Sequence, residues 1–139
     1  MSYTTTLKFI NNTKETLTII KKTCQDGAVW TERRHQQTLS MPSSGTSGLF
    51  RFQSSIGEKF IVVTGVYNSA RWCDILVDLD GSQTAMRVHS TYYTDSDPNY
   101  KALWNQATTV TKTTRKGKTV GIYFYKPDSN NLLAVCTYA

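Results

Sequence analysis

Apolar and polar residues alternate along most of this chain with the two-residue period of β-structure. Tyr3, Thr5, Leu7 and Phe9 fall on one side of Tyr3–Ile10, and Thr16–Lys22 follows an Asn11-Asn12-Thr13-Lys14 turn. The pattern predicts a first hairpin there. After the Gln25-Asp26-Gly27 turn signal, Ala28-Val29-Trp30 resumes the apolar face, and Thr38–Met41 reads as a short strand ending at Pro42. Ser43-Ser44-Gly45-Thr46-Ser47-Gly48 is too polar for core and too rich in glycine for helix. Leu49-Phe50-Arg51-Phe52 then runs to a turn at Ile56-Gly57-Glu58, and the β-branched run Phe60-Ile61-Val62-Val63-Thr64 reads as a largely buried strand.

The second half is read in the same way. Gln83–Val88 is expected to be a strand. A helix is predicted only near residues 96–106, where Ser96-Asp97-Pro98 offers a cap and a first-turn proline, and Tyr100, Leu103 and Trp104 share one face. Thr108–Thr114 and Thr119–Tyr125 should pair across the Arg115-Lys116-Gly117-Lys118 turn, and Asn131–Tyr138 should close the fold. Many short strands with one short helix imply an all-β, two-sheet sandwich. Its 139 residues suffice for one domain, 1–139, with a core that needs no metal or disulfide.

Charge and cysteines change the picture little. The net charge of +6 raises the possibility of a nucleic-acid partner, but Lys21-Lys22, Arg33-Arg34 and Arg115–Lys118 are small separate clusters, so none is expected. Cys24, Cys73 and Cys136 are widely spaced, without a CxxC pair, and read as free buried thiols; no metal or other cofactor is expected. Neither a signal peptide nor a membrane span is visible, which points to a cytoplasmic protein. Catalysis is not expected either: Ser44 lacks a GxSxG frame, and nothing in the spacing brings His35 or His89 to a serine or to Cys73.

The densest chemistry lies in Gly65–Ile75, where Tyr67, Asn68, Arg71, Trp72 and Asp74 follow a strand as a binding loop would, or as a sandwich corner would. Ser44-Gly45-Thr46-Ser47-Gly48 before Leu49-Phe50-Arg51-Phe52, Gly65-Val66-Tyr67-Asn68, Arg71-Trp72-Cys73-Asp74-Ile75, Gln83-Thr84-Ala85 and Tyr92-Tyr93 stand in the order and near the spacing of one family. In this the chain resembles the fungal fruit-body lectins. The resemblance implies an actinoporin-like sandwich of six and four strands, usually a homo-oligomer, dimer or tetramer. It also implies binding of galactose β1,3-linked to N-acetylgalactosamine, the Thomsen–Friedenreich disaccharide, through Ser44, Gly45 and Asn68.

Gln25 or Asp26 would add a contact from the loop before Trp30, and Tyr67 stands where the family has a histidine. Asn68 offers a donor and an acceptor on one amide, Ser44 a rotatable hydroxyl, and Gly45 a backbone N–H without a side chain in the way. Asp74 and Ile75 match the family's second site, for N-acetylglucosamine. Val77 replaces that site's threonine, and Pro98 and Thr109 its arginine and tyrosine, so the site is expected to be weak or absent, with Asp74 a partner of Arg71 or a backbone cap. A pore former of the same fold and a basic nucleic-acid binder are the alternatives. Against the first, residues 1–22 read as strands rather than as an amphipathic helix that inserts into membranes.

Overall fold

A computed structural model describes residues 1–139 as ten strands in two facing sheets, with three short helices on one side. The strands are β1 (Tyr3–Asn11), β2 (Leu17–Gln25), β3 (Val29–Arg33), β4 (Gln36–Met41), β5 (Thr46–Ser54), β6 (Lys59–Tyr67), β7 (Ala70–Leu76), β8 (Thr109–Thr113), β9 (Thr119–Lys126) and β10 (Asn131–Tyr138). One sheet has the order β3-β4-β1-β10-β9-β8, the other β2-β5-β6-β7. The first and last strands lie side by side in parallel, from Thr4 opposite Asn131 to Asn11 opposite Tyr138, and tie the termini together.

The expected first hairpin does not form. β1 pairs with β4 and β10, whereas β2 crosses to the other sheet and pairs with β5. Asn11 holds the crossing: its side chain donates to the Glu15 carbonyl at 2.6 Å and accepts from the Thr13 amide at 2.9 Å. Such an Asx turn serves a crossover between sheets as well as a hairpin.

The four-stranded sheet is covered on both faces. Leu7, Leu39, Phe50, Val62, Ile75 and Phe124 belong to the core between the sheets, while Leu49, Ile61, Val63 and Trp72 pack on the far side under the helices. That is why β5 and β6 are buried almost from end to end instead of at alternate residues.

Gln83–Val88 is not a strand. Ala85–Thr91 forms helix α1, capped by Thr84, whose hydroxyl accepts from the Arg87 amide at 3.3 Å. Ala85, Val88, His89 and Tyr92 are its buried residues, spaced i, i+3, i+4, i+7. The predicted helix near 96–106 is a 3₁₀ turn at Pro98–Tyr100, capped by Asp97, followed by α2 at Lys101–Asn105. Leu103 is buried within it, but Trp104 stands outside, about half exposed.

One imidazole fastens α1 to the sheet. His89 Nδ1 lies 2.7 Å from the Thr23 hydroxyl of β2, and Nε2 lies 2.7 Å from the Ser47 hydroxyl of β5. Burial holds its pKa down at about 4, against an ordinary 6.5, so the ring is neutral in the fold. The linkage has a definite sign. Above pH 6.5 the ring is neutral folded and unfolded; between 6.5 and about 4 only the unfolded chain takes the proton, so stability is lost as pH falls. Urea unfolding should show the protein losing about 2–3 kcal/mol more between pH 7 and 4.5 than a His89→Gln variant loses. Equal losses would mean that the ring is charged in the fold.

Candidate carbohydrate-binding site

The ends of β2, β5, β6 and β7 meet at one pole of the sandwich. Asn68 and Ser69 form a two-residue turn between β6 and β7, both with left-handed backbone, φ 51° and 62°. This is the geometry that hairpins joined by two residues adopt, and asparagine is among the few side chains that tolerate it. It turns Asn68 outward, and the residue is exposed.

Against that turn lies the bend that leads into β5. The Ser44 hydroxyl accepts a hydrogen bond from the Ser69 amide at 2.9 Å, and the Gly45 amide donates to the Val66 carbonyl at 2.7 Å. Two hydrogen bonds from adjacent residues thus dock the bend onto the β6–β7 turn, although 25 positions separate Ser44 from Ser69 in the chain. The Thr46 hydroxyl closes the bend by donating to the Ser43 carbonyl at 2.8 Å.

Gly45 has φ 89° and no atom near the place of a Cβ. Its backbone conformation excludes other residues, and the surface above it is open. Its N–H, however, is already engaged by Val66, so it has no proton to offer a ligand. The expected donor is corrected to a surface shaped by the absence of a side chain.

Gln25 and Asp26 border the same bend from β2. Gln25 sits opposite Ser47 in the β2–β5 ladder, and the adjoining turn brings Gly27 against Pro42. On the other flank Tyr67 is half-buried, with its ring edge-on to Trp104 at 4.9 Å. Gln106 Nε2 donates to its carbonyl at 3.0 Å, and a hydrogen-bonding interaction with Tyr100 pushes the phenol upward in pKa. Tyr93 stands between these flanks: its hydroxyl lies 2.6 Å from that of Ser47, and burial pushes its pKa up to about 12, with Asp26 and Tyr67 both contributing in the same direction. Sequence reasoning misses Tyr93, Ser69 and Gln106 as parts of this corner. Their roles rest on contacts between distant segments; Tyr92-Tyr93 is the only local hint, and it is ambiguous between packing and binding.

The Asp74–Ile75 pair is placed differently. Ile75 is fully buried, and Asp74 accepts a hydrogen bond from the Tyr92 hydroxyl at 2.7 Å, rather than pairing with Arg71 or capping backbone. Burial, with the Asp74 charge next, holds that phenol well above its ordinary pKa. Arg71 instead lines a hollow with Ser69, Asp128 and Asn130.

His89 does meet a serine, contrary to the expectation from spacing, but Ser47 and His89 are both fully buried and closed off from any substrate. Cys73 is buried, donates to the Ala107 carbonyl at 3.4 Å and has a pKa pushed up to about 12 by burial and Asp74, which leaves it a poor nucleophile. Cys24 is exposed, not buried as expected, because it lies near the end of β2, an edge strand with a neighbour on one side only. No helix is long and apolar enough to cross a membrane.

Comparison with other proteins identifies the fold and the family. The model of the fungal fruit body lectin family matches residues 1–136. Boletus edulis lectin is 36% identical over 105 residues, covering 72% of this chain and 73% of its own. The crystal structure of Xerocomus chrysenteron lectin superposes with a TM-score of 0.95 at 30% identity, over 100% of both chains. The lipid binding protein Nakanori shares the fold alone, with a TM-score of 0.63 at 9% identity over 99% of this chain and 71% of its own. With one family model spanning nearly every residue, the chain belongs to the fungal fruit body lectins and is a carbohydrate-binding protein.

Proposed function

We propose that this lectin binds galactose β1,3-linked to N-acetylgalactosamine at one site per subunit, formed by Ser44, Gly45 and Asn68 with Gln25, Asp26 and Tyr67 around them. The observation that carries the reading is the hydrogen bond from the Ser69 amide to the Ser44 hydroxyl, because it holds the serine-glycine bend beside the exposed Asn68 carboxamide. A sugar hydroxyl donates and accepts at once, and loses affinity wherever a partner is missing. Asn68 supplies both functions through one plane. The Ser44 hydroxyl already accepts from Ser69, so its own proton is directed away, free to be donated to a sugar oxygen. Open backbone at Gly45 admits a ring at close range, and Tyr67, fixed by Trp104, presents an aromatic edge to an acetamido methyl.

The ligand is neutral, so affinity rests on a few hydrogen bonds of roughly 0.5–1.5 kcal/mol each, weak for a single site. Cell agglutination then requires several sites on a homo-oligomer. The second, N-acetylglucosamine site is weak or absent in this chain, since Asp74 is engaged by Tyr92 and Ile75 is enclosed.

Asn68→Gly tests the side chain alone, because glycine keeps the left-handed turn that alanine would strain. Isothermal titration with the disaccharide should show affinity falling about tenfold or more, with the melting temperature little changed; undiminished binding would remove Asn68 from the site. Ser44→Ala should weaken binding about three- to tenfold and also loosen the bend. Raising salt from about 50 to 500 mM should leave the wild-type signal nearly constant, whereas phosphate recognition would decay steeply. Liposomes loaded with dye should stay intact, since residues 3–11 and 17–25 are strands of the folded sheets.

A further inference from the structure

We propose that the opposite pole of the sandwich holds a second ligand site, for a small planar aromatic molecule that carries one N–H or O–H donor. A half-open cavity of ≈ 260 Å³ lies there between the sheets, where β1 and β10 end and β2, β6 and β9 begin. Every strand terminus that builds it is the far end of one that approaches the sugar pole, or of its neighbour in the other sheet. Phe9, Leu17, Ile19, Phe52, Phe60 and Val62 supply most of its apolar wall.

Four features point to this class of ligand. The wall contains a file of rings: Phe9 to Phe52 at 5.3 Å, Phe52 stacked on Phe60 at 5.0 Å and Phe60 stacked on Tyr138 at 5.4 Å. A further flat ring extends such a file with little loss of its own internal freedom. The volume is adequate, given that a sealed apolar cavity of about 150 Å³ takes up benzene. Of the polar residues that line it, Asn11, Glu32, His35, Gln37 and Thr137, only Gln37 is buried. Gln37 is only 3% exposed and lines the cavity.

The decisive feature is how Gln37 is bonded. Its Nε2 donates to Glu32 Oε1 at 3.0 Å, which turns the amide in one sense, while its Oε1 is buried without any hydrogen-bond partner. A buried carbonyl left in this condition favours any bound group that brings a proton to it. Glu32 and His35 stand at the rim, so polar residues surround the entrance and the interior stays apolar. The acceptor selects a donor, the rings select a plane, and the volume sets the size at about two fused rings.

The probe is 2-naphthol, with naphthalene as the same plane without the donor, each titrated into the full chain by calorimetry. We expect 2-naphthol to bind about three- to tenfold more tightly than naphthalene, and that preference to vanish in Gln37→Met, which keeps the shape of the side chain without its carbonyl. Ile19→Trp, at a half-buried position on the cavity wall, should abolish binding of both while far-UV dichroism stays that of the folded protein. If Gln37→Met failed to fold, chemical-shift changes centred on Phe60 and Val62 of the wild type, larger with 2-naphthol than with naphthalene, would support the same site. Equal binding of the two probes, no binding to the folded wild type, or unchanged binding in Ile19→Trp would overturn the proposal. None of these outcomes depends on the sugar site.

Discussion

The structure turns on how closely β5 and β6 approach at Gly65. A Cβ at that position would stand 2.4 Å from the Thr46 carbonyl oxygen and 2.5 Å from Ser47 Cβ, distances that no side chain tolerates. Because Gly65 has none, the start of β5 lies flat on the end of β6, with Ser47 opposite Gly65 and Thr46 opposite Val66. The ladder then continues past its last strand pair: Gly45 donates to Val66, and Ser44 receives the amide of Ser69. The same approach aims Ser47 outward on the helix side, where it meets both His89 and Tyr93. One missing methyl therefore sets the bend at Ser44-Gly45 and anchors the helix beside it.

This constraint explains which parts of the molecule are legible in the linear sequence. Strands with one face in the core announce themselves by alternation, as Tyr3–Phe9 does, and the β8–β9 hairpin is marked by its basic turn; both are found where the pattern predicts them. Pairing between strands is a different kind of information. The Asn11–Lys14 turn signals reversal without saying into which sheet, and the reversal leads across the sandwich. Helix α1 escapes the pattern because Gln83–Val88 is too short for a period of 3.6 to be told from one of 2, and its last anchors, His89 and Tyr92, lie beyond the window that suggests a strand.

The corner proposed for the sugar is legible for a related reason. Ser44-Gly45 and Tyr67-Asn68 occupy turn positions whose backbone needs leave marks in the residue types, glycine at φ 89° and asparagine at φ 51°. Hydrogen-bond direction leaves no such mark. The Gly45 N–H faces inward to Val66, and Asp74 faces Tyr92 rather than Arg71, because such choices depend on atoms brought near by the fold. Gln37 illustrates the same limit at the other pole: nothing in Gln36-Gln37-Thr38 marks one glutamine as half-buried and the next as enclosed with a bare acceptor.

Sandwich geometry makes two dissimilar poles nearly unavoidable. Strands of two twisted sheets diverge toward their ends, so each end must be closed by turns or left with space between the sheets. At the pole of the proposed sugar site, short turns and the 42–45 bend cover the strand ends with backbone, and the hollow that remains is lined by the polar Ser69, Arg71, Asp128 and Asn130. At the far pole, the connection from β1 to β2 spans the gap from outside and leaves Phe9, Phe52, Phe60 and Tyr138 to fill it with rings. Rings stack but do not interdigitate as branched aliphatic groups do, so flat gaps survive between them. The way each end is closed thus decides its chemistry: polar where turns do most of the closing, apolar where aromatic side chains are left to do it.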